Sequence, residues 1–157
     1  MGKETKTNAM RILDSLKIPY KKHCYNESIS GCDVAAELGE NPQNVFKTLV
    51  TTGKSGKHYV FLVPVNEHLD LKKAAAAVGE KSVDMLKSKE LFELTGYIHG
   101  GCSPVGMKKF FRTVIHSSAA DIPAIFCSGG RIGLQIELSL DDLAKAIRFE
   151  LNDITVN

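Results

Sequence analysis

Residues 45–65 read VFKTLVTTGKSGKHYVFLVPV, and this stretch decides the fold. β-Branched and aromatic residues dominate both of its halves, which is typical of strands that pack against a core. The intervening Gly53-Lys-Ser-Gly56 supplies the residues of a tight turn. The stretch therefore predicts a β-hairpin, and the rest of the chain has to cover the sheet that this hairpin begins.

A lysine lies inside the first strand of this predicted hairpin. Strand alternation places Val45, Lys47 and Leu49 on one face, while Phe46 and Thr48 lie on the other. A charge among apolar neighbours loses hydration, and this costs free energy unless an anion pairs with the charge. The sequence leaves two interpretations open: an internal carboxylate pairs with the lysine, or the lysine awaits a ligand phosphate.

Helix signals occur at six places along the chain. Most combine an apolar stripe at helical spacing with a capping residue, a proline or a terminal glycine. The last of these predicts a buried stripe of Leu140, Leu143, Ala144 and Ile147. The predicted helices begin near Thr7 or Asn8, after Ser30, at Asn41-Pro42, after Asp70, near Ser88 and at Ser139.

Three further strands are predicted at residues 111–116, 125–128 and 132–138, the last from its alternation of apolar with small or polar residues. Strands and helices are intermixed without a strict βαβ repeat. The prediction is therefore an α+β fold with a mixed, mostly antiparallel central β-sheet and flanking helices. Residues 1–157 fit one domain, which is large enough to fold without a disulfide or a metal.

Composition excludes several classes of protein. The hydrophobic fraction is 43% and the charged fraction 24%, which argues against disorder. A net charge of +2 is too small for a histone-like protein, which binds nucleic acid through its high overall charge. No membrane segment or export signal is visible, and the four cysteines show no C-x-x-C spacing. We therefore expect reduced thiols and a cytoplasmic location.

The segment that begins at residue 96 reads GYIHGGCSP, and three glycines with a proline predict a loop with an accessible backbone. No P-loop, Rossmann fingerprint or serine elbow is present. No cofactor is indicated, and the scattered His and Cys residues do not predict a metal site. Attack by a Cys102 thiol with His99 or His116 as base stays open as an alternative, although an inert thiol is favoured.

Residues 46–49, 96–109 and 128–138 resemble the YbaK/EbsC family, and the resemblance extends from about Ala9 to the final helix. The family consists of free-standing relatives of the editing domain inserted in bacterial prolyl-tRNA synthetase. Its YbaK branch hydrolyses cysteine that has been mischarged on proline tRNA. The resemblance therefore implies an editing-domain fold and an aminoacyl-tRNA deacylase.

The resemblance also implies site residues. Lys47 would bind the phosphate or ribose of the acceptor end, and Gly100 and Gly101 would hold the aminoacyl group through the backbone. Two positions depart from the family pattern: Ile29 stands where some relatives have an aromatic residue, and Gln135 where an acid is usual. Glu137 shares the side of Gln135 and is a possible replacement. The implied pocket also includes Tyr25, Thr48, Cys102, Ser103, Pro104 and Ser128.

The implied activity is trans-editing of Cys-tRNA(Pro), and also of Cys-tRNA(Cys). The thiol of the substrate would attack its own ester, so that the enzyme acts as an ester hydrolase or a thiolactone-forming lyase. The acceptor end of aminoacyl-tRNA is the expected partner, with a transient complex with prolyl-tRNA synthetase inferred from the family. Two alternatives stay open: editing of alanine or another small amino acid, and a non-catalytic module that binds tRNA or a synthetase. The oligomeric state is not predicted.

Overall fold

The computed structural model describes residues 5–29 and 32–157, which contain five α-helices and eight strands. Short 3₁₀ helices at Pro42–Asn44 and Ser117–Asp121 complete the regular structure. The helices are α1 (Asn8–Ser15), α2 (Cys32–Leu38), α3 (Leu71–Val78), α4 (Ser88–Thr95) and α5 (Leu140–Leu143). The strands are β1 (Lys21–Cys24), β2 (Phe46–Gly53), β3 (His58–Pro64), β4 (Val83–Met85), β5 (Arg112–His116), β6 (Ile125–Ser128), β7 (Leu134–Leu138) and β8 (Glu150–Asn152).

The strands form two sheets. One has the order β1-β7-β6 and is antiparallel throughout. The other has the order β4-β2-β3-β5-β8, in which β5 and β8 run parallel to β3 and the remaining pairs are antiparallel. The α+β class and the mostly antiparallel pairing are confirmed. The strands divide into two sheets instead of one, and a parallel bridge between Val45 and Phe126 joins them.

The predicted hairpin forms β2 and β3, in register from Phe46 opposite Pro64 to Thr52 opposite His58. Glu80 holds the turn from outside the hairpin. Its carboxylate accepts hydrogen bonds from the backbone N–H of Ser55 at 3.1 Å and from the hydroxyl of Tyr59 at 2.6 Å. The turn is therefore fixed by the segment that follows α3 as well as by its own glycines.

Apolar clusters pack on both sides of the sheets. The largest joins α1 to both sheets, and Leu13 of α1, Leu62 of β3 and Ile136 of β7 are fully buried in it. The second cluster packs α3 against the five-stranded sheet. The third is small and consists of buried Ala35, Val45 and Phe126, with Leu38 and Val65 packed against them. This small cluster fixes α2 over the junction of the two sheets.

Most predicted caps are present. Thr7 Oγ1 accepts from the N–H of Met10, Asp70 from those of Lys72 and Lys73, and Ser139 from that of Asp142. Ser30, the predicted cap of α2, lies outside the described residues.

The predicted stripe of the last helix was wrong at one position. The helix α5 is only four residues long, so Ala144 no longer follows a helical face and its side chain is exposed.

Two strands, β4 and β8, had no signal in the sequence. Both are three-residue edge strands whose side chains are mostly exposed, so they carry no apolar alternation. Backbone pairing with β2 and with β5 defines them instead. None of the helices in the described residues has the length and apolar character needed to cross a bilayer.

Candidate functional site

A row of polar side chains crosses the three-stranded sheet. His23 of β1 pairs with Gln135 of β7, and Gln135 pairs on its other side with Ser128 of β6. Directly opposed residues in antiparallel strands point to the same face of a sheet. The opposite face packs into the main core through residues such as Cys127 and Ile136. The row therefore points away from that core, toward the side that α2 covers.

Lys47 extends this row onto the second sheet. The parallel bridge pairs Val45 with Phe126. Lys47 lies two residues after Val45 and Ser128 two residues after Phe126, so these two residues are also neighbours. Alternation keeps Lys47 on the face of Val45, which packs against Phe126 and against Ala35 of α2. Lys47 thus lies beside Ser128 at the junction of the sheets.

The ammonium group of Lys47 has lost part of its hydration without gaining an acid. Its side chain is half-buried, and burial lowers its pKa, an effect that the nearby Cys32 thiol opposes. Within residues 5–29 and 32–157, no carboxylate forms an ion pair with it. Of the two interpretations that the sequence left open, pairing with an internal carboxylate is not found among the described residues, and binding of an anionic ligand stays a prediction.

The glycine-rich loop packs against the turn that follows Ser128. A Cβ atom on Gly101 would lie 2.9 Å from both Arg131 Cα and Ile132 N, so only glycine fits there without a shift of backbone. Gly100 has a φ of +86°, a backbone conformation that residues with a side chain rarely adopt. These contacts hold the loop at the end of the sheet where Ser128 lies.

Some backbone N–H groups of the loop have no hydrogen-bond partner among the described residues. The N–H of Gly101 donates to the carbonyl of Ile98 at 2.9 Å, and Ser103 Oγ accepts from the N–H of Val105 at 3.1 Å. The N–H groups of Cys102 and Ser103 make no hydrogen bond to any described residue, although both residues are buried. Buried N–H groups are normally paired, so the lack of a partner for these two needs an explanation.

The thiol of Cys102 is unsuited to nucleophilic attack. It is 5% exposed, and burial raises its pKa to about 12, so it stays protonated near neutral pH. One of the two bases considered is engaged elsewhere, because His116 Nδ1 accepts from the N–H of Ile154 at 3.2 Å. The other, His99, belongs to an exposed part of the loop. An enzyme thiol nucleophile at Cys102 is therefore not supported.

The remaining predicted residues differ in where they lie. Tyr25 donates its N–H to the carbonyl of Gly133 at 2.9 Å, which continues the β1–β7 register and puts Tyr25 next to His23 on the same face. Pro104 is buried within the loop. Ile29 is half-buried and directly precedes residues that are not described. Thr48 points to the other face of β2, away from the row.

Two of the predicted site residues have a buried side-chain oxygen that lacks a partner. Thr48 Oγ1 and Gln135 Oε1 are inaccessible, and no described residue provides either with a hydrogen bond. A buried polar atom left unpaired costs free energy, so each such atom in a folded protein needs an explanation. Gln135 is part of the row, whereas Thr48 lies on the opposite face of its strand.

Sequence reasoning assigned no role to His23. Its Nε2 lies 2.9 Å from Glu137 Oε1, and its ring packs against that of Phe126 with centroids 5.0 Å apart. Glu137 shares the face of Gln135 but is occupied by this contact. Only the register of β1 on β7 could have revealed the pair, because β1 is too short for its alternation to be read. No group of three or more metal-binding side chains occurs among the described residues.

Comparisons with known proteins identify the family. Residues 30–146 match the family model described as an aminoacyl-tRNA editing domain. The chain belongs to this family. EbsC of Enterococcus faecalis, described as a candidate Cys-tRNA(Pro)/Cys-tRNA(Cys) deacylase, is 43% identical over 155 residues, which are 97% of this chain and 94% of that protein. The predicted YbaK/EbsC resemblance and the predicted class of enzyme, an aminoacyl-tRNA deacylase, are thereby confirmed.

Solved structures confirm the fold of this editing domain. A structure described as a candidate trans-editing enzyme for prolyl-tRNA synthetase superimposes with a TM-score of 0.84 at 24% identity, covering 98% of this chain and all of that one. A hypothetical protein gives a TM-score of 0.81 at 20% identity, covering 95% of this chain and 99% of that one. At these identities the likeness concerns the fold alone.

Proposed function

We propose that this editing domain is a free-standing trans-editing deacylase that cleaves the aminoacyl ester of Cys-tRNA(Pro), and also that of Cys-tRNA(Cys). The observation that carries the proposal is the half-buried ammonium group of Lys47, which has no acid partner among the described residues and lies at the end of the polar row. The name of EbsC, with which the chain shares 43% identity, supports the choice of cysteine.

Lys47 binds the phosphate or ribose region of the terminal nucleotide. An ammonium group on a flexible stem suits a phosphate whose position varies, and a partly dehydrated one attracts an anion more strongly than an exposed one. Contacts of this type position an RNA end without reading its bases. The selection of the correct tRNA then has to come from elsewhere, for which a transient complex with cytoplasmic prolyl-tRNA synthetase is our proposal.

The aminoacyl group occupies the space between the polar row and the loop. The carbonyl oxygen of Gln135 accepts from the substrate α-ammonium group, which satisfies a buried acceptor that has no partner in the protein. The free N–H groups of Cys102 and Ser103 donate to the ester oxygen. Binding therefore uses the protein groups that folding leaves unpaired.

The chemistry is assisted by the substrate. The sulfur of the cysteinyl group attacks its own ester carbonyl carbon, the carbonyl electrons move to oxygen, and the loop N–H groups stabilise this oxyanion. Collapse of the intermediate breaks the bond to the ribose oxygen, which takes up the proton that the thiol has lost. The products are tRNA and a thiolactone that water opens. Attack within one molecule profits from a high effective molarity, so no nucleophile of the enzyme is required.

Single-turnover deacylation by the purified protein tests the proposal. We expect Cys-tRNA(Pro) to lose its amino acid well above the spontaneous rate, and faster than Ala-tRNA(Pro) or Ser-tRNA(Pro). A preference for alanine would indicate editing of a different small amino acid. Rates equal to spontaneous hydrolysis for all three would indicate a non-catalytic module. A substrate charged with S-methylcysteine is the matched control, because it fills a similar volume but has no free thiol.

A further inference from the structure

His23 and Glu137 form a carboxylate–histidine pair on the face of the candidate site. The distance from His23 Nε2 to Glu137 Oε1 is 2.9 Å, and the two side chains are 32% and 25% exposed. An ionised carboxylate only accepts hydrogen bonds, so Nε2 of the neutral ring carries the proton. The lone pair of Nδ1 is then free, since no described residue donates to it. A carboxylate that fixes the tautomer and orientation of a histidine is a recurrent device in enzymes.

The neighbour of His23 in the row provides an independent sign of a ligand. Gln135 pairs directly with His23 across β1 and β7, so their side chains lie next to each other. Gln135 is only 6% exposed, and its Oε1 has no partner among the described residues. A ligand that donates to this oxygen comes within reach of the free nitrogen of His23.

We propose that His23 is the general base of the deacylation and that Glu137 is its positioning residue; this inference rests on the proposed function. His23 Nδ1 removes the proton from the substrate thiol as the sulfur bonds to the ester carbonyl carbon. When the bond to the ribose oxygen breaks, the protonated ring returns that proton to the leaving oxygen. The products are the thiolactone and tRNA with a free hydroxyl, so His23 and Glu137 end as they began.

A free thiol is mostly protonated near neutral pH, so a base at hand accelerates the attack. His23 is well placed for this role. On β6 the residues nearest to it, Phe126 and Ser128, are uncharged. The titratable groups of the surrounding elements are Lys21 and Tyr25 on the same face as His23, Glu137 on β7, Lys47 on β2, and Cys32, Asp33 and Glu37 on α2.

Single-turnover hydrolysis of Cys-tRNA(Pro) by His23→Ala, His23→Gln and Glu137→Gln tests the inference. We expect a loss of about 100-fold or more for both His23 variants, since general base catalysis contributes roughly that much. Glu137→Gln should lose about 10-fold, because it leaves the ring in place without fixing its tautomer. Imidazole in the buffer should restore part of the rate to His23→Ala, where it has room to bind, and none to His23→Gln. His68→Gln, an exposed histidine, is the matched control.

Thermal melting of each variant separates loss of the base from loss of the fold. If the wild type is active while folded His23 variants keep its rate within threefold, the inference is wrong and the proposed function stands. A loss of rate in His23→Ala that imidazole does not restore, in a variant with a wild-type melting temperature, also contradicts a general base. If the wild type does not deacylate any of the three charged tRNAs, the proposed function fails, and this inference fails with it.

Discussion

Lys47 and Ser128 belong to different sheets, yet the parallel bridge between Val45 and Phe126 places them side by side. The bridge is parallel, so both strands leave it in the same direction and carry their polar residues to the same end. The small cluster under α2 closes the other end of this junction. The candidate site therefore lies where the two sheets meet.

Replacing Lys47 by Met should remove activity without weakening the fold. The ammonium group forms no ion pair with a described residue and is partly desolvated, so a similar apolar side chain removes an unfavourable burial. We expect single-turnover deacylation of Cys-tRNA(Pro) to fall at least 10-fold while the melting temperature stays equal or rises. Lys54→Met, in the exposed hairpin turn, is the matched control. A folded Lys47→Met variant with a normal rate would remove Lys47 from the site.

Two substitutions of Gln135 should move stability and substrate binding in opposite directions. Gln135→Leu deletes an unpartnered buried oxygen, so we expect stability to hold or improve while KM rises. Gln135→Glu introduces the acid usual in the family, which strengthens the contact with the α-ammonium group and lowers KM. It also buries a carboxylate in the free protein, which should cost more than the roughly 1–3 kcal/mol of an unpaired neutral group. The measurements are urea unfolding and KM for Cys-tRNA(Pro); parallel changes in KM for both variants would contradict the role.

Replacing Cys102 by Ser should leave most of the activity. The thiol is buried with a raised pKa, and only the backbone N–H of this residue is assigned a part in the reaction. We expect the rate to stay within about threefold of the wild type, with a modest loss of stability from burying a hydroxyl. A fall of about 100-fold in a folded variant would indicate that the enzyme supplies the nucleophile after all.

The sequence predicted the fold well because its signals were local. The hairpin around Gly53, the Asp70 cap and the alternation before Leu138 each depend on residues within one element. The edge strands β4 and β8 were not predicted, because pairing with a strand that is distant in sequence defines them. A capping pattern at Ser139 predicted the start of α5 correctly, but nothing local showed that it would end after a single turn.

The candidate site could be predicted only in part. Lys47 was visible as a charge inside an apolar strand, and the loop was visible from its glycines. The resemblance to the family supplied the other predicted residues, and their roles stay predictions. The pairing of His23 with Glu137 depends on residues 114 positions apart, and that of Lys47 with Ser128 on a bridge between two sheets. Neither relationship has a signature within a short stretch of chain.

Replacing Gly101 by Ala should disturb the site by displacing the loop. The added Cβ would meet the backbone of Arg131 and Ile132 at 2.9 Å, and backbone cannot yield as a side chain does. We expect a loss of about 1–3 kcal/mol, as for other overpacked sites, together with a fall in kcat. Gly39→Ala is the control: φ there is +70° but nothing lies within 4 Å of a Cβ, so it should cost about 1–2 kcal/mol of conformational strain and leave kcat unchanged. Equal effects of the two on kcat would contradict a role for the position of the loop.

The buried thiols should make the protein sensitive to alkali. Burial raises the pKa of Cys102 and of Cys127 to about 12, from an ordinary value of 9.0. Above pH 9 the unfolded chain releases both protons while the folded chain keeps them, so stability falls as the pH rises toward 12. Each thiol contributes a slope of about 1.4 kcal/mol per pH unit within this window.

Urea unfolding between pH 9 and 10, under reducing conditions, measures this slope. The raised pKa values of Tyr20, Tyr59 and Tyr97 add to this slope as the pH approaches 10, but equally in every variant compared. Lys47, with its lowered pKa, acts with the opposite sign but equally in every variant compared. Cys127→Ala should therefore flatten the dependence of stability on pH by about 1.4 kcal/mol per pH unit at most, whereas Cys24→Ala, which removes an exposed thiol, should not change it. Identical slopes for the wild type and Cys127→Ala would show that this thiol ionises as readily in the folded protein as in the unfolded chain.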